Sequence, residues 1–334
     1  MSRCEEASLP PIPAAEVSSS DIVSDASSAR SRKQERLRSP GQFERREEEV
    51  KKLTSVNTFE GARVDVSKPM TPLFALSHNI MLGSSPNNPN ANSHYKLGAT
   101  VGDGERVCVA TVDQHGTVEG QLYGSLLAGV QGKLIFNLPA ESKNGIVAVS
   151  DVDYEGPTSS AQIKFGQNIH GVAGPHLGMS YFQSITPRLS MGGEGSWGLE
   201  SPSTSSTMVA AAKYSTPKYS GLLSYATTAA QGDQLSFFYH RTVTPGRVLL
   251  GTELAVQPST LEAQMAAGAE FTLKQSKVNL AIDGSGRMHS LVETSLSPAA
   301  KLTFSAEMQL GANGQDDKSQ RDMYKFGYGL QIGQ

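Results

Sequence analysis

The chain has 334 residues, 38% of them hydrophobic and 18% charged, below the globular average of about 25%, and its net charge is −3. That balance excludes a basic nucleic-acid-binding surface, and Cys4 and Cys108, far apart in the chain, make neither a disulfide framework nor a metal site. No stretch reaches the about 18 consecutive apolar residues that a membrane helix needs. No secretory leader is legible at the start, where Glu5 and Glu6 stand in place of a leucine-rich core. A membrane β-barrel stays open, because its apolar residues alternate with polar ones and escape hydropathy windows.

Residues 1–41 are rich in Ser, Pro, Ala and Arg and almost free of aromatics. Such a composition buries too little apolar surface to offset ordering entropy, so a disordered tail is expected. Next comes "GQFERREEEVKKLTSV", the one convincing helix, within a helical segment assigned to 42–60. Glu47 with Lys51 and Glu48 with Lys52 are i,i+4 pairs in the favourable orientation. The apolar stripe is thin (Phe43, Val50, Leu53), which suits a helix lying against a wall; its mixed charge suits a plug or lining in a polar lumen.

From Gly61 to the end the text becomes strand-like. Nineteen runs can be marked, from "ARVDVSK" and "LFALSHNIML" through "YSGLLSYATT" to "AKLTFSAEMQL" and "KFGYGLQIG". Breakers such as Asn144-Gly145, Thr186-Pro187, Pro245-Gly246 and Asp283-Gly284 fall between runs. The spacing of about 14 residues per run fits membrane strands of about 9 to 11 residues joined by turns of about 2 to 5. In "AKLTFSAEMQL", Leu302, Phe304, Ala306, Met308 and Leu310 share one face, opposite Lys301, Thr303, Ser305, Glu307 and Gln309. In "RVLLGTELAV", Val248, Leu250, Leu254 and Val256 oppose Arg247 and Glu253. A soluble β-sandwich gives the same alternation with polar residues outward. Tight hairpins without long crossovers, polar faces rich in Gly, Ser, Thr and Gln, and a strand number too large for an open sheet favour a closed membrane barrel. The expected fold is all-β: a nineteen-stranded transmembrane β-barrel over 61–334 with an N-terminal helix in its lumen.

No phosphate cradle, nucleophile elbow or metal spacing is present; "VGDGERV" lacks a following helix, and the seven histidines have no i,i+4 pair on a helix. No enzyme, cofactor or metal is expected. With apolar faces toward lipid, the lumen acids are Glu119, Asp151, Asp153, Glu194, Glu253, Glu262, Glu270, Asp283, Glu293 and Glu307. The bases on the same assignment are fewer: Lys96, Lys133, Lys164, Lys213, Arg247, Lys301 and Lys325. Carboxylates lining a confined lumen select cations and concentrate positively charged ligands, and one wall, from the fourteenth run to the eighteenth, would be acidic.

Three segments carry a resemblance. "YFQSITPRLSMGGEGSW" (181–197) and "FEGARVDVSKPMTPLFALSHNIMLGSS" (59–85) are similar to segments of the channel-forming subunits of TOM, the translocase of the outer mitochondrial membrane. The final "KFGYGLQIG" matches the sorting signal shared by mitochondrial barrels: polar Lys325, Gly327, hydrophobic Leu330 and hydrophobic Ile332. The resemblance covers residues 43–334. It implies a first and last strand paired in parallel, an N-terminal segment threaded through the lumen and both termini toward the intermembrane space. It further implies a protein-conducting channel of the mitochondrial outer membrane, in which acidic patches guide cationic presequences. The implied partners are precursor proteins and presequences, the central receptor and small TOM subunits, the lipid bilayer and further barrels in an oligomer; nucleic acid is not among them. The alternative is a metabolite or ion channel like the voltage-dependent anion channel, which should show a basic lumen instead. A soluble all-β binding protein is the third reading.

Overall fold

The computed structural model describes residues 37–83, 93–140, 146–167, 174–199, 206–229, 232–310 and 324–333. Most of the tail expected over 1–41 lies outside the described residues. A short 3-10 turn, Glu44–Glu47, runs into the helix α1, Glu48–Thr54. Both ion pairs read from the sequence form, Lys51 to Glu47 and Lys52 to Glu48, each at 2.7 Å. The helical residues stop at Thr54, short of the expected segment to 60. Ser55, Val56, Asn57 and Thr58 are weak helix formers, and the link they make must reach the barrel wall.

The strands are β1 Gly61–Thr71, β2 Phe74–Leu82, β3 Ser93–Gly102, β4 Arg106–Asp113, β5 Val118–Leu127, β6 Val130–Leu138 and β7 Val147–Glu155. They continue with β8 Ser159–Gln167, β9 Pro175–Ser184, β10 Leu189–Gly198, β11 Thr207–Ser215, β12 Tyr219–Thr228 and β13 Gly232–Thr244. The last are β14 Val248–Gln257, β15 Glu262–Thr272, β16 Ser276–Asp283, β17 Arg287–Ser297, β18 Ala300–Gln309 and β19 Tyr324–Ile332. Each strand pairs antiparallel with its sequence neighbours, and β19 pairs with β1 in parallel, from Gly61 opposite Gly327 to Val66 opposite Ile332. An odd number of strands in an up-and-down ring leaves first and last running the same way, so the closing pair must be parallel. Closure removes both sheet edges and satisfies the backbone where no water can do so.

The period of two sorts the side chains. Leu122, Phe165, Phe237, Leu254, Phe304 and Tyr328 stand outward and exposed, members of an apolar exterior that encircles the barrel. So much exposed apolar surface has lipid as its natural solvent. Tyr214 and Tyr219 meet 6.2 Å apart at the rim where β11 ends and β12 begins, the place of an interfacial aromatic belt.

Residues 38–59 form an arm that crosses the lumen. It enters at the rim where β1 ends: Ser184 donates a hydrogen bond to the Arg38 carbonyl at 2.7 Å and Ser160 to the Gly41 carbonyl at 2.6 Å. It leaves at the opposite rim, where β1 begins. α1 lies between, on β13 to β16.

The two faces predict opposite responses to charge. Leu122→Arg, outward at the middle of β5, should cost about 2–4 kcal/mol in a reversible unfolding titration from lipid, as charges at the midplane do. Gln121→Arg, inward on the same strand, should leave the midpoint nearly unchanged.

Candidate functional site in the lumen

The ladder register places all ten acids named above on the lumen face. Glu307 lies opposite His289, Glu293 opposite Lys277, Glu253 opposite Ala266, Asp151 opposite Lys164 and Glu119 opposite Asn137. Lys96, Lys133, Lys164, Lys213, Lys301 and Lys325 share that face, while Arg247 sits in the turn before β14. Register adds Asp65, Asp113 and Glu155 to the acids and Arg63, Lys277 and Arg287 to the bases, so the acidic excess is unchanged. Continuing the alternation backward from Glu293 past His289 would have found Arg287.

Six of the acids share the wall of β14 to β18, as the run order implies, but they stand at different heights. Glu253, Asp283 and Glu307 line a cavity of about 590 Å³ at the rim where β1 begins, together with Arg287, His289 and Lys325. Glu270 is nearer the other rim, in an ion pair with Lys277 at 3.0 Å, and Glu293 stands opposite the same lysine. Glu262 is exposed at the start of β15. Glu119 lies on another part of the wall and pairs with Lys96 at 3.0 Å.

The arm itself bonds or pairs with four of the ten and buries a fifth. Gln42 donates to Asp153 at 3.1 Å, and Asp151 and Asp153 are only 4% and 8% exposed. Arg46 reaches Glu194 at 3.6 Å, Thr54 donates to Glu253 at 3.2 Å, and Thr58 donates to Glu307 at 3.4 Å. In return Glu44 takes an ion pair from Lys164 at 2.9 Å and Glu49 one from Lys213 at 3.3 Å. Burial pushes the Glu44 carboxyl up, but the hydrogen bonds and charge of Lys164 outweigh it and hold the group below its ordinary range. A carboxyl lowered in the docked state stabilises docking above its free pKa, and that contribution fades as pH falls through the lowered value.

Apolar contacts complete the seat. Phe43 is 1% exposed and meets Phe182 edge-on at 5.5 Å; Val50 joins the same cluster with Ala211, Leu222 and Phe238. The sequence pattern misses this patch, because an apolar residue in a two-faced strand reads as lipid-facing. Phe182, Leu222 and Phe238 face the lumen and are dry only because the arm covers them.

Among the described residues, the arm's hydrogen bonds and ion pairs fall on β7 to β18. The wall of β2 to β5 is left facing the rest of the lumen. Its inward groups include the Lys96–Glu119 pair, His94 3.3 Å from Asp113, and Tyr123 beneath the Lys133 ammonium at 5.8 Å. The lumen is therefore half arm and half polar wall.

The four residues read as a sorting signal, Lys325, Gly327, Leu330 and Ile332, lie in β19. Lys325 and Gly327 face the lumen and Leu330 and Ile332 the exterior, opposite Val64 and Val66 of β1.

The family model of eukaryotic porins matches residues 39–321. The chain belongs to the eukaryotic porin family. With its apolar exterior, this places the porin in the mitochondrial outer membrane. The porin is also similar to proteins named mitochondrial import receptor subunit TOM40. It is 26% identical to the Xenopus laevis homologue over 311 residues, covering 90% of this chain and 86% of the relative. The human homologue is 25% identical, with 89% and 79% covered, and the Saccharomyces cerevisiae protein 24%, with 89% and 78%. Among solved structures, a triple mutant of the Rhodopseudomonas blastica porin superposes with a TM-score of 0.45 at 9% identity, covering 73% of this chain and 91% of its own.

The seat predicts how the arm is released. A cysteine placed at Val50 should be shielded from a membrane-impermeant maleimide, and Phe43→Ala should raise its labelling rate at least tenfold, since truncating a buried Phe costs about 3–5 kcal/mol. Glu44→Gln, which removes the ion pair to Lys164, should raise the labelling rate as well.

Proposed function

We propose that this porin is a protein-conducting channel of the mitochondrial outer membrane, passing unfolded precursors that carry cationic presequences. The observation that carries the reading is the continuous similarity to TOM40 homologues over about nine-tenths of the chain, on a barrel whose lumen keeps an excess of acids over bases. On this reading its partners are precursor proteins and the other subunits of a TOM complex, including a central receptor, small subunits and further barrels. Both termini face the intermembrane space, and Lys325, Gly327, Leu330 and Ile332 form the signal read by the insertion machinery.

The acids fall into two groups on this reading. Asp153, Glu194, Glu253 and Glu307 hold the arm, Asp151 is buried beneath it, and Glu119, Glu262, Glu270, Asp283 and Glu293 are reachable by a passing chain. A basic, extended segment would meet carboxylates at several heights of the lumen, with Glu119 and Glu270 exchanging Lys96 and Lys277 for lysines of the precursor. Family membership alone also fits a metabolite channel of the voltage-dependent anion channel type; the acidic excess favours cations and import.

The test is a presequence protein arrested in transit and cysteines placed one at a time at Glu119, Glu270 and Glu293. Crosslinks at these sites, with few at Asp151 or Glu194, are the expected pattern; none at any lumen position would defeat the import reading. Reversing Glu119, Glu270 and Glu293 to lysine should shift the reversal potential in a planar bilayer toward anions. Unchanged selectivity would remove the acidic path and leave the barrel.

A further inference from the structure

Gly327 stands in β19 with its missing side chain facing the lumen, and Phe59 fills the space. A Cβ added at Gly327 would overlap the Phe59 carbonyl oxygen and lie 2.7 Å and 2.8 Å from ring atoms Cδ2 and Cε2. At Gly329, one step along the same face, it would lie 3.2 Å from Cζ of the same ring. Phe59 is buried, 9% exposed, and its N–H donates to Ser305 Oγ at 2.9 Å; Ser305 is the cross-strand partner of Gly327. Thr58, just before it, is 3.3 Å from His289 Nδ1 and donates to Glu307. Two residues after Phe59 the first strand begins, and its first residue, Gly61, pairs with Gly327.

The seam between β1 and β19 differs from every other in the ring. All the others join strands that follow one another in the chain, whereas this one joins strands from its two ends. Its ladder is short, with six paired positions against nine between β18 and β19. Bringing such distant segments together carries a loop-closure cost that a hairpin does not. A buried aromatic held over β18 and β19 immediately before β1 sets the start of β1 beside its partner.

We infer that Gly327 is the socket for Phe59, and that seating this ring couples docking of the arm to closure of the barrel. The glycine counted in the sorting signal then has a physical task independent of any machinery that reads it. The C-terminal end of α1 uses the same device: a Cβ on Gly251 would come within 2.9 Å of Leu53 Cδ1, and one on Gly268 would overlap the Leu53 carbonyl. The arm lies on a wall thinned by glycine at both places.

The experiment refolds the full chain from denaturant into detergent micelles and liposomes with no insertion machinery present. It scores the protease-resistant, closed barrel for wild type, Gly327→Ala, Phe59→Gly and the double variant. Gly327→Ala should lower the closed fraction at least threefold, and adding Phe59→Gly should restore it to within twofold of Phe59→Gly alone. Maleimide labelling of a cysteine at Val50 should rise in the Gly327→Ala chains that do close. Wild-type refolding of Gly327→Ala would mean that the glycine matters only to the machinery, and would overturn the inference. A defect that Phe59→Gly fails to relieve would overturn it too, by placing the intolerance in the sheet.

Discussion

The hydrocarbon interior of a membrane offers no hydrogen-bond partner to a peptide group, and this constraint shapes the whole chain. Every N–H and C=O at that depth must be bonded within the protein, so a sheet can cross only if it closes. Closure with nineteen strands forces the β1–β19 pair to run parallel. The ends of the barrel domain therefore meet in space although nothing short connects them. Once closed, the ring divides its side chains between two solvents, and the alternation of apolar and polar residues follows from that division.

The lumen then has a problem of its own, since a barrel of this size encloses more space than side chains can fill. The arm occupies part of it, and its composition answers both surfaces it meets. Phe43, Val50 and Leu53 cover an apolar patch on β9 to β13 and two glycines on β14 and β15, while Arg45, Glu48 and Lys52 remain exposed toward the open side. The arm replaces an apolar strip of wall with a charged one. It also takes up lumen carboxylates, so charge on the inner face serves docking. Carboxylates such as Glu119 and Glu270 hold single lysine partners in a wet lumen, where such pairs are individually weak. On the proposed import reading, weak, exchangeable pairs would let a charged chain slide where strong fixed sites would hold it.

Strand number, approximate strand positions and the direction of most faces were legible in the residues, because they depend on a local period of two and on turn chemistry. The nineteen marked runs correspond to β1 through β19, and the aromatic and aliphatic positions of "KFGYGLQIG" point outward as the alternation requires. The thin stripe of Phe43, Val50 and Leu53 likewise announced a helix with one narrow contact. Local rules failed where a residue's surroundings come from a distant segment. Phe182 and Phe238 are apolar residues in two-faced strands, and their lumen position follows only from register and the arm above them. Asp151 and Glu194 looked like members of a solvent-lined path, yet the arm covers or pairs both.

The sequence by itself therefore determined a two-faced barrel, its strand number and an amphipathic arm, since each is written in periodicity that neighbouring residues share. The tertiary structure alone decided which lumen groups face water, which seat the arm, and why Gly327 carries no side chain. Those facts depend on contacts between residues such as Phe59 and Gly327, which lie at opposite ends of the folded chain and meet only when the ring has closed.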